Sequence, residues 1–102
     1  MLISSYTDDD ALADGVFVEV TPESMKKKCR IVCTPTVQAE FSLAAIMEMY
    51  NGFVMKFRKG IAHTHGKQNY ATIEKMNGKD IWVYSCILAG KPAIKMFFPY
   101  EA

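Results

Sequence analysis

The residues best suited to acid–base, phosphate or metal chemistry gather in one stretch, His63-Thr64-His65-Gly66-Lys67, with Arg58 and Lys59 just before it. Alternate side chains of an extended segment share a side, so the two imidazoles would face one phosphate or one metal together. Gly60 and Gly66 bracket the pair, and Arg58, Lys59 and Lys67 add positive charge, a pattern suited to an anionic ligand. A solvent-exposed loop that happens to hold two histidines is the plainer reading and the favoured one, since no third ligand or positioned acid accompanies them. General acid–base work needs a carboxylate, and Glu74 and Asp80 are nominated only by their nearness to the hairpin that follows. No Gly-rich phosphate loop, nucleophile elbow, HExxH or complete four-ligand zinc pattern is present. No catalytic residue and no metal ligand is therefore assigned, and no cofactor is expected.

Tyr70, Trp82 and Tyr84 form an aromatic set near the same hairpin. Trp82 and Tyr84 alternate on one side of a strand that Cys86 and Leu88 continue, while Ile81, Val83 and Ile87 line its other side. If the Trp82 side meets a helix these residues are core; if it faces outward, aromatics beside Lys67, Lys75 and Lys79 can stack a base or a nucleotide. A strand apolar on both sides is central and buried, or has an interface on one side. A two-layer domain of this size covers one face of its sheet, so a homodimer or a partner surface is expected. The candidate ligand- or partner-binding set is Arg58, His63, His65, Lys67, Tyr70, Trp82 and Tyr84.

The chain has 102 residues and a net charge of +1, enough for one domain with a single modest core. Its charge is lopsided: the first 24 residues hold six acids and no base, and the remainder five acids and all twelve bases. Asp8, Asp9 and Asp10 could form an acidic surface for a partner, a mimic of nucleic-acid charge. Helix ends charged to suit the dipole explain most of the asymmetry, and that reading is preferred for the Asp triplet and for Lys26, Lys27 and Lys28 alike. Basic residues are scattered rather than striped, which disfavours a dedicated DNA reader. The longest uncharged run, Ile81 to Gly90, is too short to span a membrane. The start, MLISSYTDDD, lacks the basic and apolar regions of a secretory leader, so an intracellular setting is expected. Three cysteines fit reduced, mostly buried thiols; a Cys29–Cys33 bridge or half a zinc site is the alternative, with His63 and His65 having to fold back onto the pair.

These residues must be positioned by a small set of elements. Thr7 before three aspartates predicts a short capped helix that stops at Asp14-Gly15. Thr21-Pro22-Glu23 predicts a second helix ending in the lysine triplet, and Thr34-Pro35 opens the main helix, placed from Pro35 to about Asn51 with Asn51-Gly52 as its stop. Val37, Phe41, Ala44, Ala45 and Met49 give that helix its apolar face. Strands are expected at Val16-Val20, Arg30-Cys33, Phe53-Arg58, Ala71-Met76, Asp80-Leu88 and Ala93-Phe98, with a loop from Lys59 to Gln68. Asn77-Gly78 is a strong hairpin signal, and Gly90-Lys91-Pro92 a second reversal. The fold expected is a single α+β domain over residues 1–102. In it an antiparallel sheet of four to five strands packs on one long helix, with short N-terminal helices.

The block Tyr6, Thr7, Ala11, Asp14, Gly15, Val16, Val18, Glu19, Val20 and Thr21 resembles the opening of a family of small uncharacterised proteins carried by bacteriophages, plasmids and integrative elements. Ile31-Val32-Cys33-Thr34 with Val37 and Ala39 is similar to that family's strand-into-helix step. Gly90-Lys91-Pro92-Ala93-Ile94-Lys95-Met96 through Pro99 is similar to its closing strand. Between them, Tyr50 to Tyr84 departs from the family's longer Arg-rich helical segment. The resemblance implies no enzyme, cofactor or catalytic residue. It implies a setting, a mobile element's protein in the cytoplasm of a bacterial host.

From this follows the expected function: a non-enzymatic binding protein acting on a host protein or a nucleotide signal. It would be a counter-defence inhibitor of the anti-CRISPR type or a sponge for a nucleotide immune signal, with a dimer favoured and nucleic acid and membrane not expected as partners. The alternative is a small nucleotide-processing enzyme using His63 and His65; a structural or regulatory accessory of the element is a third option.

Overall fold

In a computed structural model, which describes residues 7–65 and 69–102, the chain is an α+β domain built on one six-stranded mixed sheet. Its elements are α1 (Asp8–Ala13), β1 (Val18–Glu19), β2 (Arg30–Cys33), α2 (Pro35–Glu40), α3 (Leu43–Arg58), β3 (His63–His65), β4 (Asn69–Met76), β5 (Lys79–Leu88) and β6 (Lys91–Phe97). Single 3₁₀ turns lie at Glu23–Met25 and Pro99–Glu101. The strand order is β1-β2-β6-β5-β4-β3.

Hydroxyl caps set the helix starts. Thr7 accepts from the Asp10 N–H at 3.2 Å and Thr34 from the Val37 N–H at 3.3 Å, as their sequence contexts predict. Gly15, at φ 78°, follows α1 in the left-handed region that glycine enters without penalty. Ser42 supplies a third cap, accepting from the Ala45 N–H at 3.2 Å, and it divides the expected single helix. Phe41 is extended there (φ −125°, ψ 142°), so α2 stops at Glu40 and α3 begins at Leu43. The expected stop at Asn51-Gly52 and the expected strand Phe53-Arg58 both lie inside α3. Ile46, Met49 and Phe53 are buried at helical spacing, and this periodicity outweighs the local alternation of Phe53, Met55 and Phe57.

The sheet is not purely antiparallel. β2 runs parallel to β6, Arg30 opposite Ala93 and Cys33 opposite Met96, so the chain between them is a long crossover through α2, α3 and the β3–β4–β5 strands. Ile31, Val32 and Cys33 are all buried, as an interior strand covered on both faces requires. The expected strand Val16-Val20 contracts to β1, and the expected loop from Lys59 contains β3, paired antiparallel with β4. Asn77-Gly78 makes the two-residue turn expected of it. The second reversal is Ala89-Gly90, not Gly90-Lys91-Pro92: Leu88 pairs with Lys91, which places Lys91 and Pro92 in β6.

Thr21 caps no helix. Its hydroxyl accepts from the Ile31 N–H at 2.8 Å and donates to the Glu19 carboxylate at 2.9 Å, clipping the segment after β1 to β2. Arg30 binds the same carboxylate through two nitrogens and holds its pKa below the usual value. Glu101 closes the fold, accepting from the Thr34 hydroxyl and the Phe98 N–H, both at 2.9 Å.

Two apolar clusters result, one on each side of the sheet. On one side Val37 of α2 and Met49 and Phe53 of α3 pack in a cluster with Ile31, Ile81, Val83 and Met96 of the sheet. On the opposite side α1 and Phe17 cover Val32, Cys86, Leu88 and Ala93. The expectation that only one face is covered therefore needs correction, because α1 and Phe17 form a partial third layer. Among the described residues no helix is long and apolar enough to cross a membrane.

Candidate binding surface

The third layer stops short. Strand alternation sends Ala71, Ile73, Trp82, Tyr84 and Phe97 to the side away from α3, in the cross-strand rows His63–Ala71–Tyr84–Lys95 and Ile73–Trp82–Phe97. α1 covers the Cys86–Leu88 end of β5, leaving Trp82 and Tyr84 half-buried and Ile73 47% exposed. The Trp82 and Tyr84 rings stack with centroids 5.6 Å apart and planes 8° from parallel, and Phe97 tilts against both at 6.2 and 5.1 Å. A hollow of about 130 Å³ opens beside them, lined by His63, Ala71, Thr72, Ile73, Trp82 and Tyr84. Ligand pockets run from about 300 to 1,000 Å³. This hollow has room for one side chain of a partner and not for a whole nucleotide.

The expected site residues divide between the two faces. His63 joins Trp82 and Tyr84 on the open side. Tyr70 does not: it points toward α3, where its ring meets Phe57 edge-on at 4.8 Å, and its N–H donates to the Ser85 hydroxyl at 2.7 Å. Arg58 ends α3 and is exposed. His65 is the last residue of β3, opposite Asn69. Lys67, like Tyr6 of the opening block, lies outside the described residues.

No acid–base pair assembles around His63. Among the described residues its side chain has no hydrogen bond or ion pair, and both nominated carboxylates are engaged elsewhere, Glu74 with Lys56 at 2.9 Å and Asp80 with Lys75 at 3.5 Å. The cysteines are not poised as nucleophiles either. Burial pushes the Cys33 and Cys86 thiols up to about 12, which keeps them protonated. Cys29 and Cys33 lie four residues apart along extended chain, roughly 13 Å, well beyond the reach of a disulfide.

Two of the three aspartates proposed as an acidic surface anchor α1 to the sheet. Asp8 pairs with Lys95 Nζ at 2.7 Å, and Asp9 accepts from the Ala89 N–H at 2.9 Å. Lys95 also lies 5.8 Å from the Tyr84 ring centre, joining α1 to the edge of the aromatic patch. Asp10 is exposed in the first turn of α1.

Sequence reasoning missed Ile73 and Phe97 as members of this surface. Ile73 alternates with polar residues, but which side of β4 is open follows from the register with β5, and that pairing is not visible in either strand alone. No family model, curated protein or solved structure matches the chain.

Proposed function

We propose that the protein is a non-enzymatic binding protein that grips a macromolecular partner through the Ile73–Trp82–Tyr84 face of its sheet. The observation that carries this reading is the half-covered aromatic stack: α1 and Phe17 seal one end of the face, and an exposed isoleucine and a side-chain-sized hollow lie at the other. Tryptophan and tyrosine in a partly desolvated patch are the residues on which protein contacts most depend. The resemblance of the N-terminal block to phage and mobile-element proteins supports the biological side of the proposal. The partner is then a bacterial host protein met in the cytoplasm, and the effect is counter-defence by stoichiometric occlusion, as in anti-CRISPR inhibition; the hollow is too small for the alternative, a sponge for a nucleotide immune signal, to act through this face. A second copy of the chain is the other occupant the patch suits.

Sedimentation of the purified chain and retention of host proteins on it test the reading, each against the Ile73→Glu variant. Ile73 is exposed, so the added charge spoils the surface without opening the core. The expected result is a dimer or a stoichiometric host complex that the variant loses. A strict monomer that retains nothing, or a complex the variant keeps, overturns it.

A further inference from the structure

The lysine triplet has no helix to complement. What precedes Lys26 is a single 3₁₀ turn, Glu23–Met25, too short to present a dipole. The parallel register instead gives these residues neighbours. Because Arg30 lies opposite Ala93, the segment entering β2 and the turn entering β6 emerge at the same end of the sheet. Between them lies a cleft of about 550 Å³, bordered by Lys26, Lys27, Lys28, Arg30 and Lys91.

Two of these five cations are neutralised, Lys26 by Glu23 at 2.9 Å and Arg30 by Glu19 at 2.7 Å. Among the described residues Lys27, Lys28 and Lys91 have no ion pair. Elsewhere Lys56, Lys75, Lys79 and Lys95 each have an acid partner. Among the described residues Arg58 and Lys59 have no ion pair either, but they are the last residue and the C-cap of α3, which packs over β4, two strands from β6. Among the described residues three unpaired lysines therefore meet at the cleft, apart from Arg58 and Lys59, and they do not join these in the continuous track that a nucleic-acid strand requires. Asp9 is the acid that reaches the turn, and its carboxylate is engaged by the Ala89 N–H.

We propose that this cleft binds the di- or triphosphate group of a nucleotide. Lysine ammonium groups are point charges on flexible stems and suit phosphate oxygens without strict geometry. Three of them around one concavity match the multiple charge of an oligophosphate. The volume falls within the range of small-ligand sites, and Cys29, Ala89 and Pro92 supply an uncharged wall for the rest of the molecule. The cleft is distinct from the aromatic face. Leu88 at its floor is six residues along β5 from Trp82, roughly 20 Å, with α1 packed over the Cys86–Leu88 end of that strand.

The test is a titration of the full chain at low ionic strength with inorganic triphosphate and with ATP, followed by calorimetry and by backbone amide shifts. Saturable binding of both is expected, with shifts confined to residues 26–30 and 88–93. Replacing Lys28→Ala and Lys91→Ala together should weaken binding by about tenfold or more. The pair Lys28→Arg and Lys91→Arg, which keeps the charge, should restore it, and Ile73→Glu should leave it unchanged, so that this site and the aromatic face fail separately. The lysines are exposed, and coincident melting curves verify that the variants fold. Absence of saturable binding, wild-type affinity in the double alanine variant, or affinity for single-stranded oligonucleotides that rises with length while ATP does not compete would each overturn the proposal.

Discussion

At Ala89 the backbone stands at φ 50°, and Gly90 follows at 76°; Asn77 and Gly78 stand at 53° and 77°. The two hairpins thus make the same two-residue turn, one with the residue pair that favours it and one without. For an alanine the left-handed conformation costs about 1–2 kcal/mol, because Cβ crowds the following carbonyl, whereas asparagine tolerates it. Ala89→Asn should therefore stabilise the protein by about 1 kcal/mol in denaturant unfolding. The Asp9 bond to the residue 89 N–H is a backbone contact and survives the exchange. An unchanged or lowered midpoint would mean that the strain is relieved some other way. The same turn explains why the sequence misplaced this reversal. Gly90-Lys91-Pro92 has stronger turn residues than Ala89-Gly90, but the Leu88–Lys91 pairing leaves room for two loop residues only.

Among the elements, α3 is the one that local signals describe least well. Glycine after asparagine reads as a helix stop, yet Gly52 sits in mid-helix where α3 crosses β4, and a Cβ there would overlap the Glu74 carboxylate. That carboxylate is largely buried and paired with Lys56 at 2.9 Å, one helical turn beyond Gly52, and Lys56 also donates to the Ile73 carbonyl at 3.1 Å. The glycine is thus a gap that admits an ion pair from the sheet. Gly52→Ala alone should destabilise the protein, since the displaced carboxylate loses its partner. In a Glu74→Ala background the same exchange should stabilise it by about 1 kcal/mol, the ordinary helix preference for alanine over glycine. A double-mutant cycle reads the difference, and equal effects in both backgrounds would show that Glu74 is not the reason for the glycine. What was legible in the sequence was local: the caps Thr7 and Thr34, the stop at Gly15, β2 and the Asn77-Gly78 hairpin. What was not legible depended on distant pairing, namely the parallel β2–β6 contact, the purpose of Gly52 and the side of β4 on which Ile73 lies.

For the whole molecule the question is how a sheet apolar on both sides is hidden by so short a chain. α2 and α3 take one face, and the other is shared between α1 with Phe17 and the open aromatic patch. β1, β2 and β6 are neighbours at one side of the sheet. β3 and β4 form the opposite edge, where the open patch lies. The covered and the open parts of this face thus lie toward opposite sides of the sheet, and Phe17 belongs to the covered part. It is 1% exposed, and it packs in the cluster of Val32, Cys86, Leu88 and Ala93 that would otherwise meet water. If the partial third layer is part of the cooperative fold, Phe17→Ala should cost about 3–5 kcal/mol in denaturant unfolding, and amide exchange should quicken along the Cys86–Leu88 end of β5. If instead the sheet and α3 alone are the stable unit, the loss will be under about 1 kcal/mol and exchange will quicken only in α1. That second outcome would leave both ends of the sheet's outer face available to a partner, and the binding surface would then extend from Ile73 across β5 to Leu88.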